Sequence, residues 1–193
     1  MGKKTLIEYE FTVEKDGKVL KKGKGRSKSY VLNFMKIMKL LMLSTATEEL
    51  TDTGGNAVTV ADSDLGAVNV LGAEGDDSKG VLFGTGTTAF DITDCKLASK
   101  IAHGDGDNLL HYYDTSVGDI DTSISGKVRL PIQRSAVNNG SVDISVSEVG
   151  LVVSITIGGT DYYFLIARDV LDSPISVPAG ATLKWTYYIT TTY

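Results

Sequence analysis

Near the start of the chain, apolar and polar side chains alternate. Ile7, Tyr9, Phe11 and Val13 fall on one side, and Leu6, Glu8, Glu10 and Thr12 on the other. A period of two predicts a half-buried strand over 5–14. Asp16-Gly17 then offers a tight hairpin turn, with a returning strand at 18–22. At Tyr30 the pattern changes. The run YVLNFMKIMKLLML (30–43) is broken only by Asn33, Lys36 and Lys39, which share one stripe. This predicts a helix near 29–43, capped by Ser27 or Ser29. Because the rest of its circumference is apolar, it is expected to be largely covered by protein, its own or a neighbour's.

Residues 45–80, rich in Thr, Gly, Asp and Ala, read as an irregular surface region with short strands at 57–60 and 67–71. Further strands are predicted at 81–84, 109–113 and 127–133, and a helical turn at 94–102. Val142, Ile144 and Val146 alternate with polar residues, and Val149, Leu151, Val153, Ile155 and Ile157 mark one face of the next strand. Gly158-Gly159 turns the chain into a strand at 161–167, and Asn138-Asn139-Gly140 offers a similar turn. Leu183, Trp185, Tyr187, Ile189 and Thr191 share a face of the last strand. Many short strands with turn signals between them predict a mainly all-β fold, an antiparallel sandwich or barrel. No fixed period suggests a solenoid.

A length of 193 residues fits one domain with an appendage. Charge divides it. Residues 1–39 hold eleven Lys/Arg and four Asp/Glu, giving +7, whereas 40–193 hold eight and twenty, giving −12. The organisation read from this is a basic N-terminal arm and helix (1–43) ahead of a β-sandwich body (44–193). Such an arm suits nucleic acid, an anionic surface, or the acidic body of another copy. A solvated lysine-rich hairpin is the plain alternative. The basic run 21–28 followed by the apolar run mimics a signal peptide, but Lys36 and Lys39 interrupt it and it starts late. Fourteen residues are also too few to span a bilayer. The expectation is therefore no secretion signal and no membrane span. The single Cys95 allows no internal disulfide and is expected to be a buried free thiol.

Catalytic and cofactor patterns are thin. VLFGTGTTA (81–89) spells a Gly-x-Gly-x-x-Ala turn, but Asp91 and Asp94 stand where a phosphate would lie, and no full helix follows. The glycines are expected to give a bend with positive φ, with the Thr87 and Thr88 hydroxyls satisfying loose backbone groups. Asp105 and Asp107, in a loop near His103, His111 and Asp114, form a fragment of a calcium loop without its closing Glu. Zinc on His103 and His111 lacks nominated further ligands. No nucleophile elbow or paired-carboxylate cleft is spelled, so no enzyme and no cofactor are expected. Arg168-Asp169 reads as a strand-end ion pair. Glu148, set among valines, needs a cation from Arg129, Arg134 or Arg168.

Three stretches, GVLFGTGTTAFDITDCKL, VNNGSVDISVSEVGL and LIARDVLDSPISVPAGATLKWTYYI, together with Ser29–Phe34, resemble small structural proteins from virions of tailed phages and archaeal viruses. The resemblance implies a jelly-roll-like sandwich used as a building block. The implied function is a self-assembling, non-catalytic subunit of a capsid, decoration or tail, assembled in the host cytoplasm. Its implied partners are copies of itself and other virion proteins, with nucleic acid also within reach of the arm. Contacts are expected from Lys21, Lys22, Lys24, Arg26, Lys28, Tyr30 and Phe34. The rival readings are a glycan- or receptor-binding fibre module using Tyr162, Tyr163, Trp185, Tyr187 and Tyr188, and a non-viral filament or shell protein.

Overall fold

The computed structural model describes residues 5–27 and 30–192. The chain is mainly β, and its named strands pair antiparallel throughout. β1 (Thr5–Lys15) and β2 (Lys18–Ser27) form the predicted hairpin. Asp16 and Gly17 both take positive φ at its turn, the backbone that a tight two-residue connection requires. After α1 (Leu32–Met42) come β3 (Thr47–Thr51), β4 (Ala57–Ala61) and a 3-10 turn at Asp62–Ala67. The remaining strands are β5 (Gly80–Gly84), β6 (His111–Val117), β7 (Lys127–Val137), β8 (Ile144–Ile157), β9 (Thr160–Val177) and β10 (Thr182–Thr192).

The first and last strands meet at the centre of one sheet, ordered β2-β1-β10-β7-β6. β1 pairs with β10 from Thr5↔Thr191 to Glu14↔Thr182. Only a period-two pattern held in both strands gives a dry face of such length. On that face Tyr9 and Phe11 stack on Trp185, with ring centroids 4.5 and 5.8 Å away. Of the expected arm, β1 therefore lies inside the sheet and β2 alone forms its edge. The second sheet is β5-β8-β9, and β3-β4 is a separate hairpin. Tyr187, from the first sheet, donates its hydroxyl to Asp169 Oδ2 at 2.9 Å in the second, with Val149 O 3.2 Å away. Residues from both sheets enter a single buried apolar cluster.

Several expectations are corrected. α1 starts at Leu32 with Val31 as N-cap and no side-chain cap; Ser27 ends β2, and Ser29 lies outside the described residues. The helix is covered on one face only. Asn33, Ile37 and Leu40 are buried, while Leu32, Met35, Leu41 and Met42 are exposed. Of the polar stripe only Asn33 is on the docked side; Lys36 lies at its border and Lys39 in solvent. Asn33 bonds Thr51 and Leu165 O, Lys36 reaches Glu49 O, and Lys39 pairs with Glu48. Asn33 supplies the polar partner that buried backbone at β3 and β9 needs, beside the apolar contacts of Ile37 and Leu40. β3 lay inside the stretch read as irregular, and the expected strand at 67–71 is reduced to one bridge, Asn69↔Ser154. Residues 94–102 form turns and a bridge rather than a helical turn. β8 is buried on both faces from Val146 to Ile155, with a bulge at Leu151/Val152, so its apolar residues do not keep one face. Arg168 and Asp169 lie well inside β9, not at its end. Cys95 is half-buried.

Candidate assembly surface

The run Lys22-Gly23-Lys24-Gly25-Arg26 alternates small with cationic, and the strand sorts the two. A Cβ at Gly23 would lie 2.5 Å from Phe11 Cε1, and one at Gly25 2.5 Å from Tyr9 Oη. The glycines let those aromatics fold across β2 on the inner face. Lys22, Lys24 and Arg26 consequently all project from the outer face. There the register sets Lys22 opposite Thr12, Lys24 opposite Glu10 and Arg26 opposite Glu8. Glu8 is engaged elsewhere, by Lys127 Nζ at 2.6 Å. An open trough of about 650 Å³ runs along this face, lined by Glu10, Glu14, Lys22, Lys24, Lys184 and Tyr188 among others. Lys21 Nζ donates to Pro174 O at 3.4 Å.

Tyr30 and Phe34 stack at 3.8 Å between centroids, and Tyr30 bridges to Ala167. Both are half-buried, and burial pushes the Tyr30 hydroxyl up to about 12. They anchor the entry of α1 to β9 and offer only part of their surface to a partner. Lys28 lies outside the described residues. Beside them is an apolar patch that sequence reasoning missed. Leu32 N donates to Ile92 O at 2.7 Å, which sets exposed Ile92 next to exposed Leu32. Met35 is 58% and Met42 76% exposed. The run itself was visible; which face would point outward was not.

The glycine turn holds no positive φ at Gly84 or Gly86, contrary to expectation. A Cβ at Gly84 would meet Glu148 Cγ at 2.6 Å, and one at Gly86 would meet Glu148 Oε1 at 2.4 Å. These glycines admit a buried carboxylate. Glu148 is fully buried and Arg168 is 1% exposed. Glu148 accepts from the Gly86, Ala98 and Ser99 N–H groups and from Arg168 Nε and Nη2. Arg168 also donates to Asp94 Oδ2 at 2.8 Å and to Thr88 O at 3.0 Å. Arg168 is thus the cation Glu148 required, and its own neighbour Asp169 turns the opposite way to Tyr187. The three stretches quoted for the resemblance meet in this network.

Arg134 has no carboxylate partner among the described residues. It is fully buried, and it donates to the carbonyls of Tyr113, Lys79, Val81, Ala73 and Asp76, with its guanidinium 4.7 Å over the Tyr112 ring. Arg129 pairs with Asp121 at the surface.

In the acidic loop, Asp105 and Asp107 turn to different partners. Asp105 accepts from Asn139 and faces His111, and these bonds hold its carboxyl below the usual range. Asp107 accepts from the backbone and hydroxyl of Ser141, with the same effect. His111 lies between Glu74 and Asp105, each at 2.9 Å; its bond to Glu74 leads in raising its pKa. Among the described residues no group of three or more His, Cys, Asp or Glu side chains is placed to hold a metal ion. Of the proposed sugar-binding aromatics, Trp185 and Tyr187 are fully buried and belong to the core. No described helix is long and apolar enough to cross a membrane.

Comparison with known proteins returned no match: no protein-family model, no curated protein and no solved structure resembles the chain closely enough to name. What the coordinates define is a mainly β chain with antiparallel sheets, an edge strand lined with cations and a helix with an uncovered apolar side.

Proposed function

We propose that the chain is a self-assembling, non-catalytic structural subunit of a virus particle, serving as a capsid, decoration or tail component. Its architecture in this reading is a jelly-roll-like sandwich of the five-stranded and three-stranded sheets. The bond from Tyr187 to Asp169, which ties one sheet to the other, supports that layering.

One observation carries the functional reading: α1 docks Asn33, Ile37 and Leu40 and leaves Leu32, Met35 and Met42 in solvent on its other side, with Ile92 beside Leu32. Large apolar side chains left exposed together on one side of a helix mark a contact with another macromolecule. The buried network of Glu148, Arg168 and Asp94 agrees with it. The residues that carry the resemblance bond to one another inside the fold, as suits a rigid building block.

The test is the mass in solution and the form under the electron microscope of the full chain and of Met35→Asp/Met42→Asp. Particles or filaments are expected from the first and small species from the second. Monomers from the full chain at high concentration would refute the reading. Deleting 1–43 is unsuitable, because it removes β1 and strips the stack from Trp185.

A further inference from the structure

The two outer edges of the five-stranded sheet carry opposite charge. On β2, Lys18, Lys21, Lys22, Lys24 and Arg26 are all exposed, and among the described residues no strand lies on its outer side. At the far edge, Asp114 lies on β6 and Asp119 just beyond it, both exposed. Glu74 and Asp105 flank the start of β6 through His111, with side chains 58% and 67% exposed. Four inter-strand spacings, about 20 Å in all, separate the two edges. Each also carries exposed apolar side chains: Val19 and Leu20 on the basic edge, and Tyr113, Val117 and Ile120 on the acidic one.

We propose that the basic β2 edge of one copy docks on the acidic β6 edge of the next. This rests on the assembly reading and names its contact. The two patches differ and lie on opposite edges, so the contact is head-to-tail and repeats into a ring or a filament. Pairing β2 with β2 of another copy would set lysine against lysine, the arrangement by which edge strands avoid self-association. The backbone edge of β6 is already met by the chain: Thr115 N donates to Gly72 O at 2.7 Å and Gly75 N to Tyr112 O at 3.0 Å. The contact there is made by side chains rather than by strand addition.

Nucleic acid fits the basic edge less well. Glu10 stands directly across from Lys24, so the cations do not form the unbroken row that a phosphate backbone follows. Val19 and Leu20 add apolar area that phosphates do not use.

The test uses the full chain and two charge reversals at exposed positions. Lys18→Glu/Lys21→Glu/Lys22→Glu avoids the lysine opposite Glu10 and makes both edges acidic. Asp114→Lys/Asp119→Lys leaves two carboxylates and two lysines at the far edge, which removes its net negative charge while the β2 edge stays basic. Circular dichroism melts identify folded samples. Sedimentation velocity at low salt is expected to show each variant associating at least about tenfold more weakly than the unmodified chain. An equimolar mixture of the two recovers association, because each supplies the sign the other lacks. Variants that associate like the unmodified chain, or a mixture that stays dissociated, overturn the edge contact while leaving assembly itself standing. Monomers from the unmodified chain sink both. Oligonucleotide binding lost in the first variant, with self-association unchanged, overturns the proposal in favour of nucleic acid.

Discussion

Replacing Glu148 by Gln changes one atom and tests whether the buried network holds the second sheet to its loops. Oε1 accepts from Gly86 N at 3.2 Å and Ser99 N at 2.7 Å; Oε2 accepts from Ala98 N at 3.0 Å and from Arg168 Nε and Nη2 at 2.9 and 2.8 Å. Both oxygens only accept. Whichever one becomes an amide NH2, a donor faces two or three donors, and buried Arg168 keeps only one of its two carboxylate partners, Asp94. Breaking a buried pair from one side costs about 3–5 kcal/mol. Against a typical domain stability of about 5–15 kcal/mol, that is a large fraction. At roughly 2–4 °C per kcal/mol for a chain of this size, the melting temperature should fall by about 6–20 °C. Trp185, the single tryptophan, is fully buried in the other sheet, so its fluorescence in a urea titration reports global unfolding. Glu148→Leu/Arg168→Leu should lose less than the sum of its single variants, with a coupling above about 1 kcal/mol. A Glu148→Gln protein within about 1 kcal/mol of the unmodified chain, or strict additivity in the cycle, would refute the account.

Three further outcomes follow from the same geometry. Arg134→Met removes the arginine's bonds to five carbonyls, of which Ala73 O keeps a second donor in Asp76 N; unmade buried bonds of this kind cost about 1–3 kcal/mol each before relaxation, so the loss should exceed about 3 kcal/mol in urea, and limited proteolysis should begin to cut within 72–81. Gly86→Ala drives a methyl to 2.4 Å from Glu148 Oε1 and 2.8 Å from Ala98 Cβ, and should cost about 1–3 kcal/mol by the same titration. His111 is raised in the fold by Glu74 and Asp105, so its contribution is complete below about pH 6.5 and is lost as pH rises through the higher folded value. Melting temperatures across pH 5.5–9 should show that loss in the unmodified chain and not in His111→Ala.

The sequence by itself determined those elements whose signal is local. The period of two in β1 and β10, the Asp16-Gly17 and Gly158-Gly159 turns and the apolar run of α1 depend on neighbours in the chain, and each could be read from them. Valines flanking Glu148 likewise required a buried cation partner, because an unpaired buried carboxylate is too costly to keep. Tertiary structure alone decided which of three arginines answers it, since Arg129, Arg134 and Arg168 are equivalent as letters and differ only in what the sheets bring near. It also decided the facing of α1. Composition predicted a covered apolar surface, but Asn33 bonds to Thr51 and Leu165 on the docked face beside Ile37 and Leu40, which leaves Met35 and Met42 outward. The opposition of basic and acidic edges belongs to the same class. Residues far apart in the chain acquire a geometric relation only when five strands are ordered, and long-range pairing is what a one-dimensional pattern does not encode.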